Sequence, residues 1–577
     1  MICYPGGNSC LGGVLLQMNG ARALLESLRA EGVEVVFGYP GGAVLTLYDE
    51  VYKMKFPHVL MRHEQGAAHA ADGYARASGK VGVAFATSGP GATNLVTGIA
   101  TAHMDSVPMV CITGQVANPY IGKDSFQEAD IVGITTPITK HNYLVKDVSD
   151  IPRVVKEAFY IARTGRPGVV VIDVAKDVFD TPIDYEYPAA VELHGYTDDI
   201  PFEMAQVRAA AEALAAARQP LLFVGGGVVL SDTAAYVREI LTLTGMPCVA
   251  TLMGLGSIPA ETEGYTGMAG MHGAYASNMA IQECDLLLAL GTRFSDRVTG
   301  NTAAFAPKAK IVHFDIDPAE MNKNVRADIP IIGDLRETLP AFVEAVRAIG
   351  DDLPVRFRAW RGEVLSMERA HPLGWKTSED IRPEELVSRV REIVPQDAIC
   401  VTDVGQHQMW AAQFFHCHAP RHFLTSGGLG TMGYGLPAAI GAKLAHPDKE
   451  VVLITGDGSI MMNCQELATM ADNDIDVKIV IVHNSILGMV GQWQRLFYSH
   501  HYSASELKGK TDFVRLAEAM GVAGCRIETR EELAESLPHL LRERGARLID
   551  VIVPEEADVV PMVPGGKRLD QMVLGGR

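Results

Sequence analysis

The residues best suited to chemistry are Asp457 and Asn484, each of which follows an apolar run in the last third of the chain. The run 451–454 is apolar throughout and the run 477–482 is apolar except for Lys478, a pattern typical of strands covered on both faces of a parallel sheet. In a right-handed strand–helix–strand unit both strands end at the same edge of the sheet, so a carboxylate and an amide oxygen can meet there. Such oxygens suit Mg²⁺, which often also binds phosphate. The alternative is a tight turn with a helix-capping aspartate.

The neighbours of Asp457 favour phosphate binding. Gly456 and Gly458 allow close approach of the backbone, and the following helix would present free N–H groups. Two competing phosphate patterns are weaker. Residues 428–433 match G-x-G-x-x-G, which would indicate a nicotinamide dehydrogenase, although a lone match has little weight. Residues 509–511 resemble the end of a P-loop, but the glycine that should begin such a loop is missing.

Glu64 is a second candidate. It stands where a short apolar strand passes into a helix rich in Ala and Gly, within Arg62-His63-Glu64-Gln65-Gly66. The small residues indicate that this helix packs closely against a neighbour. A carboxylate at the start of a buried helix is often only a helix cap that the helix dipole favours, and this capping interpretation stays open from the residues alone.

The elements that must position these residues alternate along the chain. Apolar strand-like runs and helical runs follow one another almost throughout, which predicts an α/β fold with doubly wound parallel sheets. Two stretches without periodicity, about 181–201 and 348–380, divide the chain into three predicted domains, 18–180, 200–345 and 375–555. The first and last of these share a strand, glycine turn, helix and strand at similar spacing, which indicates a duplication.

Composition excludes several classes of protein. The 577 residues include 50 Lys and Arg against 69 Asp and Glu, a net charge of −19, and no basic run indicates nucleic-acid binding. The nine cysteines form no Cys-x-x-Cys pair, so we expect free thiols in a reducing compartment. No apolar run reaches the ~18 residues of a membrane span. Residues 1–17 lack the pattern of a signal peptide, and we expect a soluble, cytoplasmic protein.

Many ordered motifs resemble one family. The Gly-Asp-Gly turn with Asn484 looks like the thiamine diphosphate fingerprint, and the segment around Glu64 looks like the activating glutamate of those enzymes. More specifically, the chain resembles the catalytic large subunit of acetohydroxyacid synthase, also called acetolactate synthase, from about residue 18 onward. The matching segments are 87–94, 112–115, 126–128, 139–142, 165–168, 176–177, 270–273, 293–297, 404–410, 428–442 and 488–493.

The resemblance implies an architecture and a set of cofactors. The family has an N-terminal pyrimidine-binding domain, a central FAD-binding domain and a C-terminal domain for the diphosphate and Mg²⁺. Its cofactor lies between two subunits, which implies a homodimer or tetramer. The chain shows no regulatory domain, so feedback control would require a separate small subunit.

The resemblance also assigns roles to residues. Glu64 would hydrogen-bond the aminopyrimidine and activate thiamine diphosphate. Arg297 would hold the carboxylate of the second substrate, and Trp493 would shape the acceptor pocket. Gln127 and Lys176 are further implied active-site residues. The metal ligands would be Asp457, Asn484 and the carbonyl of Ile486, and the thiamine site would be lined by Val404, Gly405, Gln406, His407, Gly430, Met432, Gly456, Gly458 and Ser459.

FAD is structural in this family rather than redox-active, and its binding positions lie mostly at predicted strand ends. They are Arg166, Gly225, Gly226, Gly227, Thr251, Leu252, Met253, Gly270, Met271, His272, Gly291, Arg293, Asp315 and Asp334. The chain departs from the family near the access channel, with Ala117 for a common Pro and Ser125 for a common Ala. These departures leave inhibitor sensitivity open.

The implied reaction joins two 2-keto acids with loss of CO₂ in branched-chain amino-acid biosynthesis. Pyruvate would be the donor, and pyruvate or 2-ketobutyrate the acceptor. The alternatives are another thiamine diphosphate enzyme, such as pyruvate oxidase or sulfoacetaldehyde acetyltransferase, a nicotinamide dehydrogenase, or a non-catalytic assembly subunit. Intact Glu64, Asp457 and Asn484 argue against the last of these.

Overall fold

The structure is a computed structural model that describes residues 16–507 and 511–575. It contains three six-stranded sheets flanked by helices, and every strand pair within them is parallel. The predicted α/β class is therefore confirmed. Residues 1–15, with Cys3 and Cys10, and the centre of the P-loop-like segment lie outside the described residues.

The first sheet has the strand order β3-β2-β4-β5-β7-β6. A separate antiparallel pair, β1 with β8, lies beside it. The elements are β1 (Leu16–Asn19), α1 (Gly20–Ala30), β2 (Val36–Gly38), α2 (Leu45–Met54), β3 (His58–Leu60), α3 (Glu64–Ser78), β4 (Gly82–Ala86), α4 (Pro90–Asn94), α5 (Val96–Met104), β5 (Met109–Gln115), α6 (Ile131–Thr135), β6 (His141–Val145), α7 (Ile151–Arg163), β7 (Val169–Ala175), α8 (Lys176–Asp180) and β8 (Pro182–Tyr185).

The middle sheet has the order β11-β10-β9-β12-β13-β14, which is the 3-2-1-4-5-6 order of dinucleotide-binding folds. Its elements are α9 (Met204–Ala216), β9 (Pro220–Val224), α10 (Gly226–Leu230), α11 (Ala234–Thr244), β10 (Cys248–Ala250), β11 (Tyr265–Met268), α12 (Tyr275–Glu283), β12 (Leu286–Leu290), α13 (Asp296–Thr299), β13 (Lys310–Asp315), β14 (Ile329–Ile332), α14 (Leu335–Arg347), α15 (Leu353–Arg356) and α16 (Arg358–Ala370).

The third sheet has the order β16-β15-β17-β18-β20-β19. Numbered within each sheet, the first and third both read 2-1-3-4-6-5, which supports the duplication expected from sequence. The elements are α17 (Pro383–Ile393), β15 (Ile399–Thr402), α18 (Gln406–Phe414), β16 (Phe423–Leu424), α19 (Gly435–Ala445), β17 (Val451–Gly456), α20 (Asp457–Ile460), α21 (Glu466–Asp472), β18 (Lys478–His483), α22 (Gly488–Phe497), α23 (Phe513–Ala519), β19 (Ala523–Ile527), α24 (Arg530–Arg542) and β20 (Arg547–Ile552).

The cores follow from the continuous apolar strands. Every residue of β4, β5, β7, β12 and β17 is buried, because helices cover both faces of each sheet. The seven cysteines of the described residues are all free, and five of them are buried. Among the same residues, no helix is both long and apolar enough to cross a membrane.

Helices α3 and α19 join the first and third sheets through their small residues. A Cβ added to Gly441 would lie 1.9 Å from the Ala70 carbonyl oxygen, and one added to Gly73 would lie 2.2 Å from the Ala438 carbonyl oxygen. The two backbones therefore touch directly. This contact explains why α3, which begins at Glu64, is rich in Ala and Gly.

We expect Gly441→Ala to destabilise the protein by about 3 kcal/mol, because the new methyl group meets backbone that cannot rotate away. The matched control is Gly362→Ala in α16, where an added Cβ has no neighbour within 4 Å. That change should stabilise the protein by about 0.4–1 kcal/mol. Urea denaturation of both variants measures the difference, and equal effects would contradict the close packing of α3 on α19.

Candidate functional site

Asp457 and Asn484 lie at the carboxyl ends of the adjacent strands β17 and β18. The Asp457 carboxylate is buried and accepts the N–H groups of Gly458, at 3.0 Å, and Ser485, at 2.8 Å. Burial raises the pKa of Asp457 to about 6, and the His483 ring 3.7 Å away opposes that rise. A bound cation would offset the remaining cost of the buried charge.

Asn484 is held in place by its neighbours. Its Oδ1 accepts the N–H of Ile486 at 3.3 Å, and its Nδ2 donates to Oε1 of Gln406 at 3.2 Å. Gln406 in turn donates to Gln492, at 2.9 Å, and to the carbonyl of Ala557, at 2.8 Å. This chain of hydrogen bonds fixes the amide in one orientation.

The donor set fits Mg²⁺ better than a transition metal. Over residues 16–507 and 511–575, no cluster of three or more His, Cys, Asp or Glu side chains could hold a metal ion. One carboxylate, one amide oxygen and a backbone carbonyl would leave positions for phosphate and water, as is usual for Mg²⁺. Asp457, Asn484 and the carbonyl of Ile486 would therefore hold it.

The glycines beside the proposed metal ligands pack closely against neighbouring side chains. A Cβ on Gly456 would lie 2.7 Å from Nδ1 of His407, and one on Gly458 would lie 2.7 Å from Leu487. His407 is buried, its Nε2 has no hydrogen-bond partner among the described residues, and burial lowers its pKa to about 3. Its neutral ring is therefore free to hydrogen-bond a ligand. Ser459 donates to the carbonyl of Val404 at 2.8 Å.

Sequence reasoning missed Asp403 at the end of β15. Its buried carboxylate accepts the N–H groups of Val404 and Gly433, each at 2.8 Å, and of Gly435 at 3.2 Å. It thereby ties the 404–405 turn to the loop that contains Gly430 and Met432. Burial raises the pKa of Asp403 to about 6. Its position after an apolar run was the same signal that identified Asp457.

Glu64 lies in the first domain as the first residue of α3. Its side chain is buried, and Oε2 accepts Nδ2 of Asn94 at 3.0 Å. A Cβ on Gly91 would lie 3.2 Å from Oε1, so that glycine leaves room beside the carboxylate. His63, rather than Glu64, caps the helix by accepting the N–H of Gln65. The capping interpretation therefore does not account for Glu64.

Gln127 and Lys176 lie at the same edge of the first sheet as Glu64. Gln127 adopts a left-handed conformation with φ of 60°, and its carbonyl oxygen would be 2.6 Å from a Cβ on Gly89. Lys176 begins α8 directly after β7 and is exposed. Asn94 was not identified as functional from sequence, although it ends the family-like segment 87–94.

Asp173 supports, through Gln115, the loop that contains Gln127. It accepts the Thr113 hydroxyl at 2.7 Å and Nε2 of Gln115 at 3.0 Å, and Gln115 also donates to the carbonyl of Ala129 at 2.8 Å. Burial raises the pKa of Asp173 from 3.8 to about 7. The folded protein therefore binds this proton more tightly than the unfolded chain does.

The stabilisation from protonated Asp173 is complete below its unfolded pKa and is lost as the pH rises through about 7. We expect the free energy of unfolding of the parent, minus that of Asp173→Asn, to decrease between about pH 5 and pH 8. Urea denaturation across this range measures the difference. A difference that does not change with pH would contradict the assigned shift.

A cavity of about 1080 Å³ lies at the carboxyl ends of the middle strands and continues to the third domain. Most of the predicted flavin positions line it: Arg166, Gly226, Gly227, Thr251, Leu252, Met253, Met271, His272, Gly291, Arg293, Asp315 and Asp334. Gly225 and Gly270 instead lie behind the wall, where a Cβ would meet the carbonyls of Gly291, at 2.2 Å, and Arg297, at 2.6 Å.

The cavity has features that fit FAD. The backbones of Gly227 and Gly291 touch, since a Cβ on Gly227 would lie 2.7 Å from Cα of Gly291. Nδ1 of His272 is buried without a hydrogen-bond partner among the described residues. Arg166 crosses from the first domain and donates to Asp317 at 2.9 Å. The 3-2-1-4-5-6 sheet and its strand-end cleft match the usual dinucleotide site.

Arg297 and Trp493 come from different domains and meet in this cavity. The guanidinium carbon of Arg297 lies 5.9 Å from the Trp493 ring centroid. Met271 donates its N–H to the carbonyl of Arg297 at 2.7 Å. The same cavity is lined by four predicted thiamine-site residues, Val404, Gly405, Gly430 and Met432.

The predicted site is therefore divided within one chain. Across the described ranges, the residues that line the large cavity do not include Glu64, Gln127 or Lys176. Eight predicted site residues of the third domain also lie outside its lining: Gln406, His407, Gly456, Asp457, Gly458, Ser459, Asn484 and Ile486. Glu64 and Asp457 thus both lie outside the cavity in which Arg297 and Trp493 meet.

Comparison with known proteins identifies related domains and relatives of this chain. Residues 18–134, 207–342 and 403–551 match the N-terminal TPP binding, central and C-terminal TPP binding domains of thiamine pyrophosphate enzymes. The acetolactate synthase of Mycobacterium bovis is 48% identical, over 97% of this chain and 92% of its own. A probable acetolactate synthase large subunit of Methanocaldococcus jannaschii is 47% identical, over 96% and 95%.

The acetolactate synthase isozyme 2 large subunit of Escherichia coli is 46% identical, over 96% of this chain and 99% of its own. Identity at this level, across three domains and almost the full length, extends well beyond any single motif. The chain thus belongs to the acetolactate synthase large-subunit family and is a thiamine-dependent enzyme of that type.

Proposed function

We propose that the enzyme decarboxylates pyruvate and transfers the two-carbon unit to a second 2-keto acid. Pyruvate as acceptor yields 2-acetolactate, and 2-ketobutyrate yields 2-aceto-2-hydroxybutyrate. The observation that carries this assignment is the meeting of Arg297 and Trp493 beside the thiamine-site loops. A guanidinium can pair with the acceptor carboxylate, and an aromatic wall can contact its alkyl group.

Arg297 supplies the positive charge that this acidic protein needs to bind an anionic substrate. With a net charge of −19, the protein as a whole repels anions. The Arg297 side chain is 59% exposed, and its nearest carboxylate is that of Asp296, 3.8 Å away. Its remaining N–H groups can therefore bind a 2-keto acid.

Thiamine diphosphate supplies the electron sink for the carbanion that remains after CO₂ leaves. Asp457, Asn484 and Ile486 would hold Mg²⁺ against the diphosphate, and neutral His407 would donate to or accept from it. Glu64, buried beside Asn94 and Gly91, would hold a proton at the pyrimidine ring. FAD would fill the middle-domain cavity as a structural group.

We further propose a homodimer, or a tetramer built from such dimers, in which the first domain of one chain faces the third domain of the other. The hydrogen bonds described for Glu64 and Asp457 are each to residues of their own domain, which supports this arrangement. A small regulatory subunit is proposed because relatives are named large subunits. The free cysteines support a cytoplasmic location.

The test incubates purified protein with thiamine diphosphate, Mg²⁺, FAD and pyruvate, and measures acetolactate. Product that depends on thiamine diphosphate and Mg²⁺ supports the assignment, and no product at saturating cofactor overturns it. Absorbance of the flavin is followed in the same sample. Bleaching by pyruvate during turnover would indicate a pyruvate oxidase instead.

A further inference from the structure

Asp105 is a buried carboxylate where all three domains meet. It follows α5 in the first domain, and its side chain is fully buried. Its two oxygens accept backbone N–H groups from the third domain, Oδ2 from Gly427 at 3.0 Å and Oδ1 from Gly428 at 2.8 Å. A buried carboxylate that accepts two backbone N–H groups fixes the position of that backbone.

Two arginines surround the same carboxylate. Arg76 of the first domain donates to Oδ2 at 3.0 Å, and Arg293 of the middle domain approaches Oδ1 at 4.0 Å. Arg76 also pairs with Asp72, and Arg76, Arg293 and Asp105 itself all line the large cavity. Asp105 therefore borders the predicted flavin site directly and also faces its residue Arg293.

The backbone held by Asp105 belongs to the loop 426–432. This loop is closed by a hydrogen bond from the Thr431 N–H to the Ser426 hydroxyl at 3.0 Å, and Thr431 also contacts Thr101 at 2.7 Å. A Cβ on Gly428 would lie 2.4 Å from Met104 and 2.7 Å from Asp105. The loop is therefore pressed against the end of α5 with no room for a side chain.

One face of this loop serves both predicted cofactors. Residues 426–430 and 432 line the large cavity, and Gly430 and Met432 are also predicted thiamine-site residues. Asp105 holds this loop and faces Arg293. When FAD binds and orders the loop, the part of the loop that faces thiamine diphosphate therefore has less conformational freedom left to lose. Binding that orders a shared element produces positive coupling.

We propose that Asp105 is a positioning residue that couples the flavin cavity to the thiamine-binding loop. This proposal rests on the proposed function, since it requires both cofactors. The two affinities are linked reciprocally, so FAD strengthens thiamine diphosphate binding by the same factor as the reverse. FAD then has an energetic effect on the active site without taking part in electron transfer.

The test measures the dissociation constant of thiamine diphosphate, with Mg²⁺, by equilibrium dialysis of the full chain with and without saturating FAD. In the parent we expect FAD to tighten binding about fivefold or more, the lower range of measured couplings. In Asp105→Asn, one of the two accepting oxygens becomes an NH₂ donor, so one backbone N–H of the loop loses its acceptor, and the factor should fall to about 1. The reverse titration of FAD should give matching factors.

Asp232→Asn is the matched control. Asp232 lines the same cavity and forms a cross-domain ion pair with Arg421 at 2.9 Å, but none of its described contacts is to loop 426–432. The coupling factor should stay at the parent value. Thr101→Val is a second test variant, for use if Asp105→Asn fails to fold. It removes the neutral contact with Thr431 at the other end of the loop and should also lower the coupling factor.

The outcomes separate this proposal from the proposed function. A parent that binds both cofactors without coupling overturns the role of Asp105, as does Asp105→Asn with unchanged coupling. If Asp105→Asn does not fold, an unchanged factor in Thr101→Val overturns it as well. A parent that binds neither cofactor refutes the proposed function itself.

Discussion

Glu64→Gln should lower kcat for acetolactate formation by about 10²- to 10⁴-fold, the usual contribution of a positioned acid–base group. The amide has nearly the same shape, so the contact with Asn94 can persist while the exchangeable proton of the carboxyl is lost. Thiamine diphosphate should still bind with a dissociation constant within about threefold of the parent value, because this residue is not among the diphosphate or Mg²⁺ ligands. Steady-state kinetics and equilibrium dialysis measure the two quantities.

The matched control is Glu34→Gln. Glu34 is a carboxylate of the same domain that is 60% exposed and pairs with Lys80 on the surface. Its replacement should leave kcat unchanged. Near-parent turnover in Glu64→Gln would refute the assigned role, whereas loss of cofactor binding would mean that Glu64 is structural.

Asp457→Asn should raise the dissociation constant of thiamine diphosphate, measured with Mg²⁺, by more than about 100-fold. Removal of a group that only hydrogen-bonds a metal ligand already lowers metal affinity or activity by about 10- to 100-fold. The buried carboxylate is the one negative charge among the three proposed ligands, so an amide leaves the cation uncompensated. Equilibrium dialysis with and without Mg²⁺ measures the change, and a constant within threefold of the parent would contradict it.

Asp476→Asn is the control for this variant. Asp476 precedes β18 at the opposite edge of the same sheet, where it accepts the N–H of Gly545 at 2.9 Å. A carboxylate at that edge should have no effect on cofactor affinity. An equal loss in both variants would mean that the third domain simply tolerates no change of charge.

The two variants together test the proposed dimer. Chains with Glu64→Gln and chains with Asp457→Asn should each be nearly inactive. After they are unfolded and refolded as a mixture, hybrid dimers would contain one site with both residues intact. Activity recovered only in the mixture supports a site shared between chains, and no recovery in well-folded hybrids contradicts it.

The sequence alone was sufficient to predict the strands and the candidate residues at their carboxyl ends. Continuous apolar runs predicted the strands, and a Gly-Asp-Gly turn after one run with an amide after the next identified Asp457 and Asn484. Both signals are short-range, because a parallel strand is buried on both faces and its carboxyl end faces a binding edge. The similarity of the first and last thirds indicated a duplication, which the shared strand order of their sheets supports.

Only the tertiary structure shows which residues of other domains contact the carboxyl ends of these strands. Asp105, Gly427 and Arg293 are far apart in the chain, and no periodicity or motif relates them. Their contact exists because α5 packs under a loop of another domain. Likewise, the sequence identifies Glu64 and Asp457 as active-site residues, yet neither lines the large cavity where Arg297 and Trp493 meet. Sequence spacing reports which residues share a sheet edge, whereas the docking of whole domains determines which edges meet, since it depends on burial summed over many distant contacts.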